Sequence, residues 1–195
     1  MIKILTYLTF ILLLFCTSNP LLFAQDTKQE VETSIHKNDM PAEALSILNE
    51  FWNKEKKADF YREFDGQSVS YEAKFKLNNY LHSIEFDENG TLLDIELLIN
   101  FDEIPENTGN AIKAYLNDQY TKFRITRIQR QYTSDGDDLS ELFLGEEFVD
   151  LNIRYELEVE AQNKEELGAF EFLFNENGQL IRKREIVRRS LDNIW

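Results

Sequence analysis

The phrase FDENGTLL at Phe86–Leu93 recurs 88 residues later as FNENGQLI at Phe174–Ile181. Each copy sets an Asn-Gly pair between runs in which apolar and polar residues alternate. Alternation at period two marks a half-buried strand, and Asn-Gly between two such runs marks a tight hairpin, because a type I′ turn needs positive φ at both central residues. Taking Asn89-Gly90 as a two-residue loop pairs Ile84 with Ile95, His82 with Leu97, Phe86 with Leu93 and Tyr80 with Ile99. The other face then carries Glu85 opposite Asp94 and Ser83 opposite Glu96. One face is apolar and the other acidic, so the register is well specified. Like charges opposite one another need water or a partner to screen them. The same construction around Asn177-Gly178 sets Glu171 opposite Arg184 and Leu173 opposite Arg182.

Each hairpin follows a helix-like segment. In NDMPAEALSILNEFW, Asp39 can cap, Pro41 suits the first turn, and Ala44, Leu45, Leu48, Phe51 and Trp52 recur at three- and four-residue steps. This helix is expected to end near Lys57. In the second segment Thr108 is expected to cap a helix with Ile112, Tyr115, Leu116 and Tyr120 as its apolar stripe. Alternation predicts strands in SVSYEAKFKL, in FRITRIQRQY after one slip, and in FVDLNIRYELEVEA. YEAKF at Tyr71 echoes YELEV at Tyr155. The order helix, strands, Asn-Gly hairpin is written twice, which predicts an α+β fold of two tandem helix-plus-antiparallel-sheet units, residues 38–102 and 103–195, packed side by side or sharing a sheet.

The N-terminus reads differently. Lys3 precedes a 12-residue uncharged apolar run, Ile4–Phe15, too short to span a bilayer, and LLFAQD offers Ala24 as a small residue before polar sequence. Residues 1–24 read as a cleaved signal peptide, with a lipid anchor at Cys16 as the rival, disfavoured by bulky Phe15. Gln25–Lys37 reads as a flexible leader. The expected location is periplasmic or secreted. Cleavage would remove the only cysteine, leaving no disulfide, thiol nucleophile or thiolate ligand. The formal charge of −15 becomes −16 without Lys3. So acidic a chain repels nucleic acid and anionic lipid.

These motifs resemble the PepSY-like family, exported proteins of Bacteroidetes described as β-lactamase-inhibitor-like. The resemblance rests on Phe86-Asp87-x-x-Gly90 with Leu92, on FDEIP ending at Pro105, on Ile112, Leu116 and Tyr120, on Tyr155-Glu156, and on Phe174–Gly178. It covers roughly Tyr71 to Val187, interrupted by the insert TSDGDDLSELFLGEEFVD. It implies an antiparallel sheet with helices on one face, an extracytoplasmic location and no catalysis.

No catalytic set stands out. The two histidines are His36, in the leader, and His82, on the apolar hairpin face; G-x-S-x-G, H-E-x-x-H and phosphate-binding glycine loops are absent from the sequence. No cofactor is expected. Asp135, Asp137, Asp138 and Glu141 could hold calcium, although their spacing is not that of an EF-hand. RKREIVRR, Arg182–Arg189, concentrates five basic residues in an acidic chain. Glu85, Asp94, Glu96 and Glu171 against Arg182 and Arg184 make a candidate two-signed surface for a protein or peptide, or else neutralise each other within the fold. The expectation is an exported, non-enzymatic binding module that engages a protein or peptide through its sheet face and possibly inhibits it; the alternative is an extracytoplasmic small-ligand or calcium binder.

Overall fold

A computed structural model of the chain describes residues 26–28, 30–51, 57–133 and 151–187. Strands β1 (Asp26–Lys28) and β2 (Val31–Ile35) come first, then helix α1 (Ala42–Phe51). Strands β3 (Ala58–Phe64), β4 (Val69–Leu77), β5 (Tyr80–Asp87) and β6 (Leu92–Leu98) follow. Helix α2 (Glu106–Gln119) leads to β7 (Lys122–Thr133), β8 (Asn152–Gln162), β9 (Leu167–Asn175) and β10 (Leu180–Ile186). All ten strands form one sheet in the order β1-β10-β9-β8-β7-β6-β5-β4-β3-β2. Neighbours are antiparallel from β10 through to β2, and β1 alone runs parallel, to β10. The described residues are thus mostly β, with two α-helices, and β6 pairing with β7 makes the sheet continuous.

Both helices lie on the apolar side. Ala44 and Leu48 of α1 bury against Ala73, Phe75, Ile84, Phe86 and Ile95. Ile112 and Leu116 of α2 bury against Tyr155, Leu157, Val159, Phe170, Phe172 and Phe174. Phe170, Phe172 and Phe174 alternate along β9, so all three rings face α2, where Tyr115 and Tyr120 meet them edge-on or tilted at 5.7–6.3 Å. Each buried phenyl contributes about 1.5–3 kcal/mol relative to an exposed one.

The hairpin turns differ from the expected type. Asp87 accepts the Gly90 amide on its carbonyl and the Asn89 and Thr91 amides on Oδ1, at 2.8–3.0 Å. Asn175 does the same for Gly178, Asn177 and Gln179 at 2.9–3.0 Å. Only the glycines have positive φ, +94° at Gly90 and +76° at Gly178. Each loop therefore carries a glycine bulge and is one residue longer than a type I′ turn. Phe86 pairs with Leu92, not Leu93, and the register then shifts to the expected Glu85–Asp94, Ile84–Ile95 and His82–Leu97. Leu93 is pushed out to the polar side, 43% exposed. Phe174 likewise pairs with Leu180, and beyond the shift Arg182–Leu173 and Arg184–Glu171 hold as read. The pairing expected between Tyr80 and Ile99 does not form: Ile99 donates its amide to Ile128. The true type I′ loop joins β4 to β5, with φ of +50° at Asn78 and +71° at Asn79.

Other expectations also change. Pro105, not Thr108, precedes the first residue of α2; Thr108 sits inside the helix and its hydroxyl donates to the Glu176 carbonyl at 2.6 Å. It ties the helix to the second turn. Asp39 closes a short 3-10 turn before α1 by accepting the His36 amide. The leader contains two strands, because its amides complete the unpaired edges of β3 and β10. Residues 52–56, where α1 was expected to continue, lie outside the described residues.

The N-terminal segment spans the sheet. β1 pairs with β10 at one edge and β2 with β3 at the other, and only two residues separate them. Three residue steps reach at most about 11 Å. The two edges must therefore lie close together, and the sheet curls around its polar side.

Each turn glycine presses on a helix start. A Cβ on Gly90 would sit 2.7 Å from the Ala44 nitrogen, and one on Gly178 would sit 2.7 Å from the Thr108 carbonyl. Gly66 also has positive φ but has open space around it. Gly90→Ala and Gly178→Ala should each cost about 2–4 kcal/mol, strain plus displaced backbone, against about 1 kcal/mol for Gly66→Ala. Urea unfolding of the three variants checks this ordering, and equal losses would mean that the helices do not hold the turns.

Candidate functional site

With the helices on the apolar side, alternation sends every second side chain of β2 to β10 into the opposite concavity. A hollow of about 600 Å³ results, lined from Glu30 and Glu32 at one edge to Arg182 and Arg184 at the other. Ten carboxylates and five cationic side chains line it. Glu85, Asp94, Glu96, Arg182 and Arg184, all read from the sequence as surface candidates, are in this lining. Glu171 lies just beneath, 1% exposed. The structure thus gathers all six, but around a concavity and not across a plane.

The basic side is largely neutralised from within. Arg184 donates from Nε and Nη2 to Glu171 Oε1 at 2.9 and 2.6 Å. Arg182 stands 3.7 Å from the same oxygen, and Glu30 approaches Arg184 at 3.6 Å. A carboxylate as buried as Glu171 requires such partners.

The acidic side is a row of carboxylates on five successive strands. Glu32 pairs with Glu63, Glu72 with Glu85, and Glu85 with Asp94. Glu63 and Glu72 share a hydrogen bond across the step that the register leaves. Lys74 is the cation within the row, paired with Glu32 and, at 2.7 Å, with Glu72. Ser83 donates to Glu72. Gln131 donates to Asp94 at 2.9 Å and to Glu96 at 3.3 Å, and Gln129 also donates to Glu96.

Such crowding holds protons. Burial, then the charge of Glu72 and its hydrogen bond, push Glu63 up to about 9. Burial, then the charges of Glu85, Glu156 and Glu72, raise Asp94 well above the usual carboxylate range. Two carboxyl groups can share a hydrogen bond only if one keeps its proton. The oxygens of Glu32, Glu63 and Glu72 lie within 4.8 Å of one another and could hold a cation.

Sequence reasoning found the β5, β6, β9 and β10 members of this site but missed Glu32, Glu63 and Glu72. The Asn78-Asn79 loop was the available signal, since pairing outward from it sets Glu72 opposite Glu85. His82 stacks on Phe75, with centroids 5.3 Å apart, on the apolar side. Asp135–Glu141 lie outside the described residues.

No family model and no curated protein match the chain. Solved structures do. A DUF2874 family protein from Bacteroides ovatus superposes with TM-score 0.54 at 13% identity, covering 75% of this chain and 89% of that one. A DUF2874 family protein from Bacteroides uniformis gives 0.51 at 17%, with coverages of 75% and 89%. A BLIP-like protein from Bacteroides fragilis gives 0.47 at 14%, with coverages of 80% and 93%. The first two show that this chain shares their fold. Among the described residues no helix is long and apolar enough to cross a membrane.

Proton retention on Glu63 sets a pH dependence. The folded chain keeps a proton that the unfolded chain, with an ordinary value of 4.5, releases. This stabilising contribution is complete below about 4.5 and is lost as pH rises through about 9. Asp94 acts in the same direction. Glu63→Gln, which stays neutral, should lose less stability than the parent between pH 5 and pH 9. Urea midpoints at the two pH values measure this; parallel losses would show that Glu63 is ionised in the fold.

Proposed function

We propose that the chain is an exported, non-enzymatic binding module whose hollow receives the positively charged groups of a protein or peptide partner. One observation carries this reading: carboxylates line the hollow two to one over cations, on the sheet side that no described helix covers. A volume near 600 Å³ is in the range of ligand pockets, enough for a few residues of an extended peptide. Arg182 and Arg184 form the basic rim of the hollow and repel such a partner, so its docking surface is the acidic row.

Export rests on the signal-like residues 1–24, with cleavage before the first described strand, and implies a periplasmic or secreted location. The chain is then PepSY-like, built of two tandem α+β units. The matching turns of Asp87–Thr91 and Asn175–Gln179, each pressed on a helix start, support the duplication.

A short lysine-rich peptide should bind the chain from Gln25 onward at one to one. Affinity should weaken as salt rises and fall at least tenfold in Glu85→Gln/Asp94→Asn. Calorimetric titration beside a glutamate-rich peptide tests it, and equal affinity for the two peptides would end the proposal.

The proximity of Glu32, Glu63 and Glu72 favours a second reading, calcium binding. Lys74 already occupies the space between Glu32 and Glu72, so the ion would have to displace an ammonium group. Millimolar calcium should raise the unfolding midpoint by several degrees if this reading holds, and an unchanged midpoint rules it out.

A further inference from the structure

The seam between the sheet edges is the least secured part of the fold. β1 joins β10 through three parallel residue pairs, Asp26–Arg184, Thr27–Glu185 and Lys28–Ile186, all from the N-terminal side polar. Parallel pairing is the weaker kind per residue, and so short a strand brings no apolar side chain to either core cluster. β10 extends four residues further, Leu180–Lys183, and among the described residues no strand pairs with that length on its outer side. An unpaired strand edge is a template for another extended chain.

The side chains on this edge specify what fits. Lys183 points to the helix side, where Glu166 holds it at 2.6 Å over the Phe170 ring. Arg182 and Arg184 point to the other side, two residues apart, so they face alternate residues of any neighbouring strand. The chain's own segment meets Arg184 with acid, since Glu30 pairs with it at 3.6 Å.

We infer that the β10 edge is a strand-acceptor site, that β1 is its built-in and displaceable occupant, and that its external ligand is an extended peptide with acidic residues at every second position. Backbone amides and carbonyls would supply affinity, and the two arginines would supply the choice of sequence. A peptide that pairs with the whole of Leu180–Ile186 makes more than twice the pairings of β1, and so can displace it. This site lies on the strand edge at the Arg182–Arg184 rim of the hollow, opposite the acidic row, and takes a ligand of opposite sign to the one proposed for that row.

The test uses the chain from Gln25 onward, which contains every described residue and no cysteine. Thr27→Cys with Glu185→Cys places two thiols at a paired position, within reach of a disulfide. The probe is a fluorescent peptide of alternating Glu and Thr, read by anisotropy beside its Lys-for-Glu counterpart. Oxidation should weaken binding of the Glu peptide at least tenfold, and reduction should restore it. Thr27→Pro, which loosens β1, should tighten binding several-fold. Binding of the Glu peptide that is indifferent to oxidation, or a Lys peptide that loses as much affinity on oxidation as the Glu peptide does, would overturn the inference. So would self-association of Thr27→Pro by sedimentation, which would make a second copy the occupant.

Discussion

Both helices press on the same side of one sheet, and the rest of the molecule follows from that asymmetry. Apolar side chains from nearly every strand converge under α1 and α2. Period-two alternation then leaves the charged residues no destination but the opposite side. In a flat sheet they would face water at little cost. Here the sheet curls, so charges placed by alternation are brought near one another, and the fold must manage them by pairing, hydrogen bonding and proton retention. Glu171 is matched with arginine, Asp94 and Glu96 with glutamine amides, and Glu63 with a proton. Polar binding capacity and cost to stability come from the same residues.

Much of this was legible in the sequence where alternation and turn chemistry reinforce each other. Pairing outward from Asn-Gly gave Glu85–Asp94 and Arg184–Glu171 correctly. It failed beside the loops, at Phe86–Leu93, because a glycine bulge inserts one residue without changing the apolar pattern beyond it. Thr108 looked like a cap since its hydroxyl suits one; the Glu176 carbonyl claims it only after the chain folds back across 68 residues. β3 was missed because Asp59–Phe64 follows a helical segment without a turn signal. The two short N-terminal strands were missed because edge strands bury little and leave a weak apolar trace. Glu32, Glu63 and Glu72 were invisible as a group for the same reason: they share a row only once β2, β3 and β4 are in register.

The likeness to DUF2874 structures fits this division of labour. At 13% and 17% identity few side chains are shared, yet the backbone arrangement is.

The position of β1 and β2 also has a consequence in time. These strands are the first described part of the sheet to leave the ribosome, yet β1 pairs with β10, the last described strand. β1 must wait for nearly the whole polypeptide before its partner strand exists. Closing a loop of some 150 residues is entropically costly and slow. β2 can pair with β3 as soon as both have emerged, whereas β1 stays open to intermolecular pairing until β10 is made.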